Sequence, residues 1–261
     1  MGSHPVRLAV TTPFAPTLAH DEGAREAARR RELPFARRGT WSLAEVAEEA
    51  DADALLVLGA HAWLWIDGAE ERWHPGMGAL RAKRMAIGER VTGDSFLAAA
   101  RLLPGDAVLD CTLGLGADAL VAAVAVGPGG RVVGLESSPA LAAWAGEGLA
   151  RLPGQAASRI HVECADHSGW LHAAPDRSFD VVVFDPMFRH ARPGTPGFDL
   201  LRRLADPRPL AREALDRARR VARRGVLVKD GTPGWDLARL SLAPQDGRRG
   251  ADRLYAWLDA E

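Results

Sequence analysis

From Ala107 onward the chain alternates short apolar β-rich runs with helix-like stretches, and that alternation restricts it to a parallel sheet covered by helices. The expected strands lie at 107–111, 131–135, 160–163, 179–184 and 225–229, with helices at 119–126, 139–152 and 209–222 between them. Parallel strands joined by right-handed crossovers wind into a doubly wound α/β sheet, whose ligand sits outside the carboxyl ends of the strands. Two weaker runs, 237–242 and 253–258, finish the chain.

The N-terminal part reads as a smaller α/β unit. Short strands are expected at 6–12, 35–38, 55–58 and 62–66, with helices at 18–31 and 43–50. Ser42 with Glu45 forms a capping-box pattern, and Asp67-Gly68 predicts a hairpin running on to Trp73. His74-Pro75-Gly76-Met77-Gly78 punctuates the chain, and helices follow at 79–86 and 96–103. The expected division is therefore a small N-terminal domain, 1–74, and a Rossmann-like domain, 75–261.

Composition narrows the class. With 261 residues, 47% of them hydrophobic, the chain is long enough to bury a full core. It has neither a run of about 20 apolar residues nor a signal-like start, so the expectation is a soluble, cytoplasmic protein with no membrane partner. Cys111 and Cys164 show no zinc-site spacing; both are read as small packing residues, and no metal is expected. The net charge of -1 hides a basic ridge, because nine arginines between Leu200 and Arg224 face only Asp206, Glu213 and Asp216. A ridge of this kind is either a solvated helix face or a surface that contacts phosphates.

Two constellations carry chemistry. The first is Asp110-Cys111-Thr112-Leu113-Gly114-Leu115-Gly116-Ala117-Asp118. Its glycines, lacking Cβ, let backbone approach a bound nucleotide at the strand-to-helix turn. By spacing alone Gly114, Gly116 and Ala119 with Glu136 also fit a relaxed NAD fingerprint, which leaves an oxidoreductase open. Asp110 favours S-adenosyl-L-methionine (SAM), since a carboxylate suits a cationic methionine moiety and repels a pyrophosphate. Glu136 can accept from both ribose hydroxyls. Asp166 and His167 follow the third strand, where an adenine edge would lie, although a simple turn explains them as well.

The second constellation is Asp185-Pro186-Met187-Phe188, directly after Val181-Val182-Val183-Phe184. An exocyclic amine on a nucleobase is a poor nucleophile because its lone pair is delocalised into the ring. Asp185 and the Pro186 carbonyl accept without donating, so they can hold the two amine hydrogens and turn the lone pair toward a methyl group. Phe188 can stack on the base. Lys229, Arg189 and His190 are further candidates for substrate contacts, with Lys229 free to choose between a substrate phosphate and Asp230.

These residues, with Glu136-Ser137 between them, resemble the bacterial ribosomal small-subunit methyltransferase J family. Methionine as the third residue of the Asp-Pro turn is the most distinctive point, and the resemblance covers roughly 75–230. The N-terminal unit looks more like uncharacterised relatives in Gram-positive bacteria. The resemblance implies SAM as cofactor and guanine N2 of 16S ribosomal RNA as acceptor, with RNA or the small ribosomal subunit as partner. It implies that Ala117, Asp118, Glu136, Ser137 and Asp185 contact SAM or its neighbourhood, and that Asp166 and His167 hold the family's adenine-side places. Arg189 replaces the family's proline after the turn, and its glycine-rich run before the first strand is reduced to Gly88, with Arg84 and Arg90 nearby. Other acceptors consistent with the same chemistry are DNA adenine, a protein glutamine or a small amine, and a catalytically silent RNA-binding protein is a further alternative.

Overall fold

The structure, a computed structural model, describes residues 6–88, 94–186, 198–245 and 252–261. Its first part runs β1 (Leu8–Thr11), α1 (Leu18–Arg30), α2 (Leu43–Glu49), β2 (Ala54–Leu58), β3 (Ala62–Ile66) and β4 (Ala69–Arg72). The strands form one sheet in the order β1-β2-β3-β4, parallel between β1 and β2 and antiparallel thereafter. Ser42 caps α2 as its sequence predicts: Glu45 N–H donates to Ser42 Oγ, and Ser42 N–H donates back to Glu45 Oε2 at 2.7 Å. Asp67 and Gly68 both take positive φ, the geometry of a tight hairpin turn between β3 and β4. The strand expected at 35–38 shrinks to one parallel bridge between Val10 and Phe35, because β1 ends at Thr11 and Pro34 and Gly39 bracket the segment.

The second part runs α3 (Met77–Ala86), α4 (Ser95–Ala100), β5 (Ala107–Asp110), α5 (Ala117–Val126), β6 (Arg131–Glu136) and α6 (Pro139–Ala150). After a short 3-10 turn at Ala157–Arg159 come β7 (Ile160–Cys164), α7 (His167–Ala173), β8 (Phe179–Phe184), α8 (Phe198–Leu204) and α9 (Arg212–Val221). β9 (Ala222–Gly231), α10 (Trp235–Arg239) and β10 (Arg253–Asp259) complete it. The sheet order is β10-β9-β8-β5-β6-β7, with the five expected strands parallel and β10 antiparallel to β9. From β5 the chain moves outward through β6 and β7, then returns to place β8 on the other side. The order therefore reverses between β5 and β8, and a crevice opens at their carboxyl ends.

The central strands read as unbroken apolar runs because helices cover both of their faces. Leu109, Val182, Phe184, Val226 and Val228 pack toward Ala214, Leu215 and Ala218 of α9, whereas Val108, Val181, Val183 and Leu227 pack toward Val121 and Ala122 of α5. α6 is buried almost all round, since Ala140, Leu141, Ala143 and Trp144 join the core of the N-terminal sheet while Ala145 joins that of the larger one. Close approach needs its glycines: a Cβ on Gly148 would lie 2.0 Å from the Trp73 ring, and one on Gly146 would lie 2.3 Å from the Arg31 guanidinium. Beside them Glu147 is 2% exposed and accepts from Arg31 at 2.9 Å, Arg151 at 2.6 Å and Arg30 at 3.3 Å.

Other elements correct the sequence reading. α7 and α8 are absent from the sequence reading: each spans only seven residues, too few for a helical period to emerge, and neither carries the capping-box pattern that marks the equally short α2. The helix expected at 209–222 starts at Arg212, and the run at 237–242 is the helix α10. Cys111 is buried as expected, but Cys164 is exposed at the end of edge strand β7 and is no packing residue. Among the described residues no helix is long and apolar enough to cross a membrane, and no cluster of His, Cys, Asp or Glu could hold a metal ion.

Candidate active site

The predicted residues converge on the crevice at the carboxyl ends of β5 to β9. Asp110 ends β5; Gly114 and Gly116 follow with φ of +54° and +79°, values that favour glycine, and Gly116 caps α5. Ala117 and Asp118 open α5. Glu136 ends β6 and braces the loop, its Oε2 accepting from Gly114 N–H at 3.0 Å and its Oε1 from Ser138 N–H at 2.9 Å. Ser137 lies between β6 and α6. Asp166 caps α7 by accepting from Ser168 N–H at 2.7 Å and also meets Arg208. The His167 ring stands edge-on to Phe184 at 5.5 Å. Asp185 follows β8, its backbone N–H donating to Thr112 Oγ1 at 2.6 Å, so the glycine loop and the Asp-Pro turn are tied together. Pro186 is described; Met187, Phe188, Arg189, His190 and Arg90 lie outside the described residues.

Charge is the dominant property here. Lys229, near the end of β9, bridges Asp118 at 2.7 Å and Asp185 at 2.5 Å. Arg81 reaches in from α3 to Asp118 at 2.6 Å and forks onto Asp94 at 2.6 and 2.9 Å. That reach depends on tight helix packing, since a Cβ on Gly78 would lie 2.5 Å from the Ala117 carbonyl. Three aspartates, 94, 118 and 185, thus share two cations, and a fourth, Asp110, lies beside them. Asp110 is the one without a cation in hydrogen-bond contact among the described residues: it is 5% exposed and accepts from Thr112 N–H at 3.1 Å.

Burial, and then the charges of Asp118 and Asp185, push the Asp110 carboxyl up to about 7. Burial also raises Glu136 and Asp185, with Lys229 working against the lift at Asp185. Asp118 behaves differently. Burial acts to raise it, but Lys229 and Arg81 hold it below the usual carboxylate range. Desolvation lowers His167, favouring a neutral imidazole beside Phe184. Carboxylates in excess suit a ligand that brings positive charge and a ribose to accept from; they repel a pyrophosphate.

One sequence reading needs correction. Lys229 does not pair with Asp230, because neighbours on a strand point to opposite faces. Asp230 instead accepts from the Asp236 and Leu237 N–H groups at 2.8 and 3.1 Å and anchors α10. The basic ridge, among the described residues, has its arginines engaged within the chain, several of them while still exposed. Each of its eight arginines with a described side chain has a partner: Arg203 pairs with Asp67, Arg208 with Asp206 and Asp166, Arg223 with Asp180 and Arg224 with Asp106. Arg212, Arg217, Arg219 and Arg220 bond to the carbonyls of Leu240, Ser168, Asp259 and Leu171. The arginines that looked surplus along the sequence neutralise acids and tie down loops in space.

Sequence reasoning also missed Arg81, Asp94, Thr112 and Tyr255. Tyr255 on β10 lies within 3.2 Å of Ser95 Oγ, and its hydroxyl is raised by burial. For Arg81 a signal existed, because Gly78 and Ala82 mark the inward face of α3. Nothing local distinguishes the others.

Comparison with known proteins agrees with this architecture. Residues 80–240 match the SAM_MT family model, described as "Putative SAM-dependent methyltransferase". The chain is 35% identical over 230 residues to Uncharacterized protein YpiP of Bacillus subtilis, covering 85% of this chain and 88% of that one. It is 42% identical over 86 residues to Ribosomal RNA small subunit methyltransferase J of Laribacter hongkongensis, covering 31% of this chain and 30% of that protein. In fold it is similar to the SAM-dependent methyltransferase NGO1261 from Neisseria gonorrhoeae, with a TM-score of 0.62 and 20% identity over 96% of this chain and 95% of that one. A class I methyltransferase sheet, a glycine loop among surplus carboxylates and a family match over most of the larger unit lead to one assignment: the chain belongs to the SAM-dependent methyltransferases and uses S-adenosyl-L-methionine as cofactor.

Proposed function

We propose that this enzyme methylates an exocyclic amine of a nucleobase, with guanine N2 of 16S ribosomal RNA as the acceptor. The observation that carries the reading is the Asp185-Pro186 turn at the topological switch point, its backbone pinned by Thr112 and its carboxylate held by Lys229. Asp185 and the Pro186 carbonyl accept the two amine hydrogens, and Phe188 stacks on the base. The local similarity to a methyltransferase named for small-subunit ribosomal RNA supports RNA, in the free strand or the small ribosomal subunit, as the partner.

When bound, S-adenosyl-L-methionine supplies the methyl group and leaves as a neutral thioether. Gly114, Gly116 and Ala117 give it a backbone without steric obstruction, Glu136 and Ser137 hold the ribose, and Asp110 faces the cationic methionine end. Asp118 acts behind them, orienting Lys229 and Arg81. Asp166 and His167 border the adenine. Asp185 and the Pro186 carbonyl would hold the acceptor amine's hydrogens while its lone pair is used, and the surplus proton on nitrogen would leave to solvent.

The test is incubation with tritiated SAM and, separately, 16S RNA, 30S particles, DNA and total protein, followed by nucleoside analysis. Label recovered as N2-methylguanosine is the expected result. Label in DNA, protein or a small amine instead would replace the acceptor and leave the reaction standing.

A further inference from the structure

We propose that Lys229 is a positioning residue that occupies and neutralises the Asp185 carboxylate, so that Asp185 accepts an uncharged, conjugated amine and turns away a protonated one. This rests on the methyl-transfer reading above and narrows its substrate class. The Lys229 side chain is 9% exposed, and its ammonium lies 2.5 Å from Asp185 Oδ2 and 2.7 Å from Asp118 Oδ2. The register fixes this placement: Phe184 pairs with Val228 across parallel strands, so Asp185, just past the end of β8, comes beside Lys229, which is still within β9 and paired with Tyr255 on its other side. A lone buried carboxylate would attract any ammonium group. Here that place is filled, and a second cation would sit against the first. A guanine, adenine or carboxamide nitrogen is neutral near pH 7 and offers N–H groups to Asp185 Oδ1, the oxygen Lys229 does not take.

The same contact works against the burial that raises Asp185 and so favours the form its role requires. Protonated, the carboxyl would donate a hydrogen bond; ionised, it only accepts. The groups around it are Asp118 on α5, Asp110 on β5, Arg81 on α3, Tyr255 and Arg253 on β10, and Asp94 ahead of α4 behind Arg81. Burial and then the Asp118 carboxylate favour protonation of Asp185, Arg253 opposes it from a distance, and Lys229 is the cation in direct contact with it.

Two measurements on the full chain test this. In the first, wild-type enzyme with tritiated SAM is offered RNA and, in competition, spermidine. Labelling of RNA at least 100-fold above spermidine is expected; comparable labelling overturns the proposal. In the second, kcat is followed from pH 5 to 9 for Lys229→Met and Lys229→Arg. With its counter-ion gone, Asp185 protonates more readily, so the acid limb of Lys229→Met should move up by at least one pH unit while KM for SAM changes less than threefold. Lys229→Arg should restore the limb. An equal loss at every pH, with no displacement of the limb, would show a merely structural role and overturn the proposal. If Lys229→Met does not fold, the wild-type competition decides. If no acceptor of any class takes label, the methyl-transfer reading itself fails and this inference falls with it.

Discussion

At the junction of the two sheets one glutamate, Glu147, is held by three arginines; at the ends of the parallel strands three aspartates share one lysine and one arginine, with a fourth, Asp110, beside them. Both clusters bury charge, which is costly unless paired. In the first, pairing is complete and cations are in excess, with Arg30 and Arg31 arriving from α1 and Arg151 from just beyond α6. Nothing is left over, and the cluster fastens the N-terminal sheet to α6. In the second, Asp110 has only a backbone donor and sits between two other acids. The difference separates a structural joint from a binding site. One is satisfied by the chain itself, while the other leaves an acid for which we propose the cofactor as partner.

Four substitutions break or sharpen that contrast. Glu147→Gln should have the largest effect, lowering unfolding free energy by about 3 kcal/mol or more, because it strands partly buried guanidinium groups. Denaturant melts would measure the loss, and SAM affinity of the folded fraction should be unchanged. Asp185→Ala should lower turnover by about 10²-fold, a loss of about 2.7 kcal/mol in transition-state stabilisation, while SAM still binds. Unchanged turnover would remove Asp185 from the mechanism.

Asp110→Asn should act in the opposite direction to Glu147→Gln. The folded-state pKa of Asp110 lies above its ordinary value, so its favourable contribution is present at low pH and is lost as pH rises toward about 7. The variant should therefore exceed wild type in stability at pH 8, by on the order of 2 kcal/mol, and the gap should close near pH 4. Thermal melts across that range would show it. The smallest effect is expected from Arg223→Gln, whose side chain is 43% exposed and paired with Asp180. RNA binding measured against salt should keep its slope, and a flatter slope would return the ridge to a phosphate-binding role.

The larger sheet was legible because its central strands are continuous apolar runs, and the glycine loop and Asp-Pro turn are contiguous in sequence. Their mutual placement followed from topology alone. The charge network was not legible, because Arg81, Asp94, Asp118, Asp185 and Lys229 come from five separate segments and only packing brings them together. Lys229 shows the limit well. Its neighbour Asp230 is the obvious partner along the chain, but strand alternation sends the two side chains to opposite faces. The partners of the arginine ridge were hidden for the same reason: counted along sequence its charge is surplus, whereas in space Asp67, Asp106, Asp166 and Asp180 reach it from other elements.

The most direct test of the central claim, that the acid-rich crevice is the cofactor site, is calorimetric titration of SAM at pH 7 in two buffers of different ionisation enthalpy. Wild type should release part of a proton on binding, as a cation arriving beside Asp110 drives its carboxyl to ionise, and Asp110→Asn should release none and bind about tenfold more weakly. Equal affinity and equal proton release in the two proteins would contradict the claim and place the cofactor elsewhere.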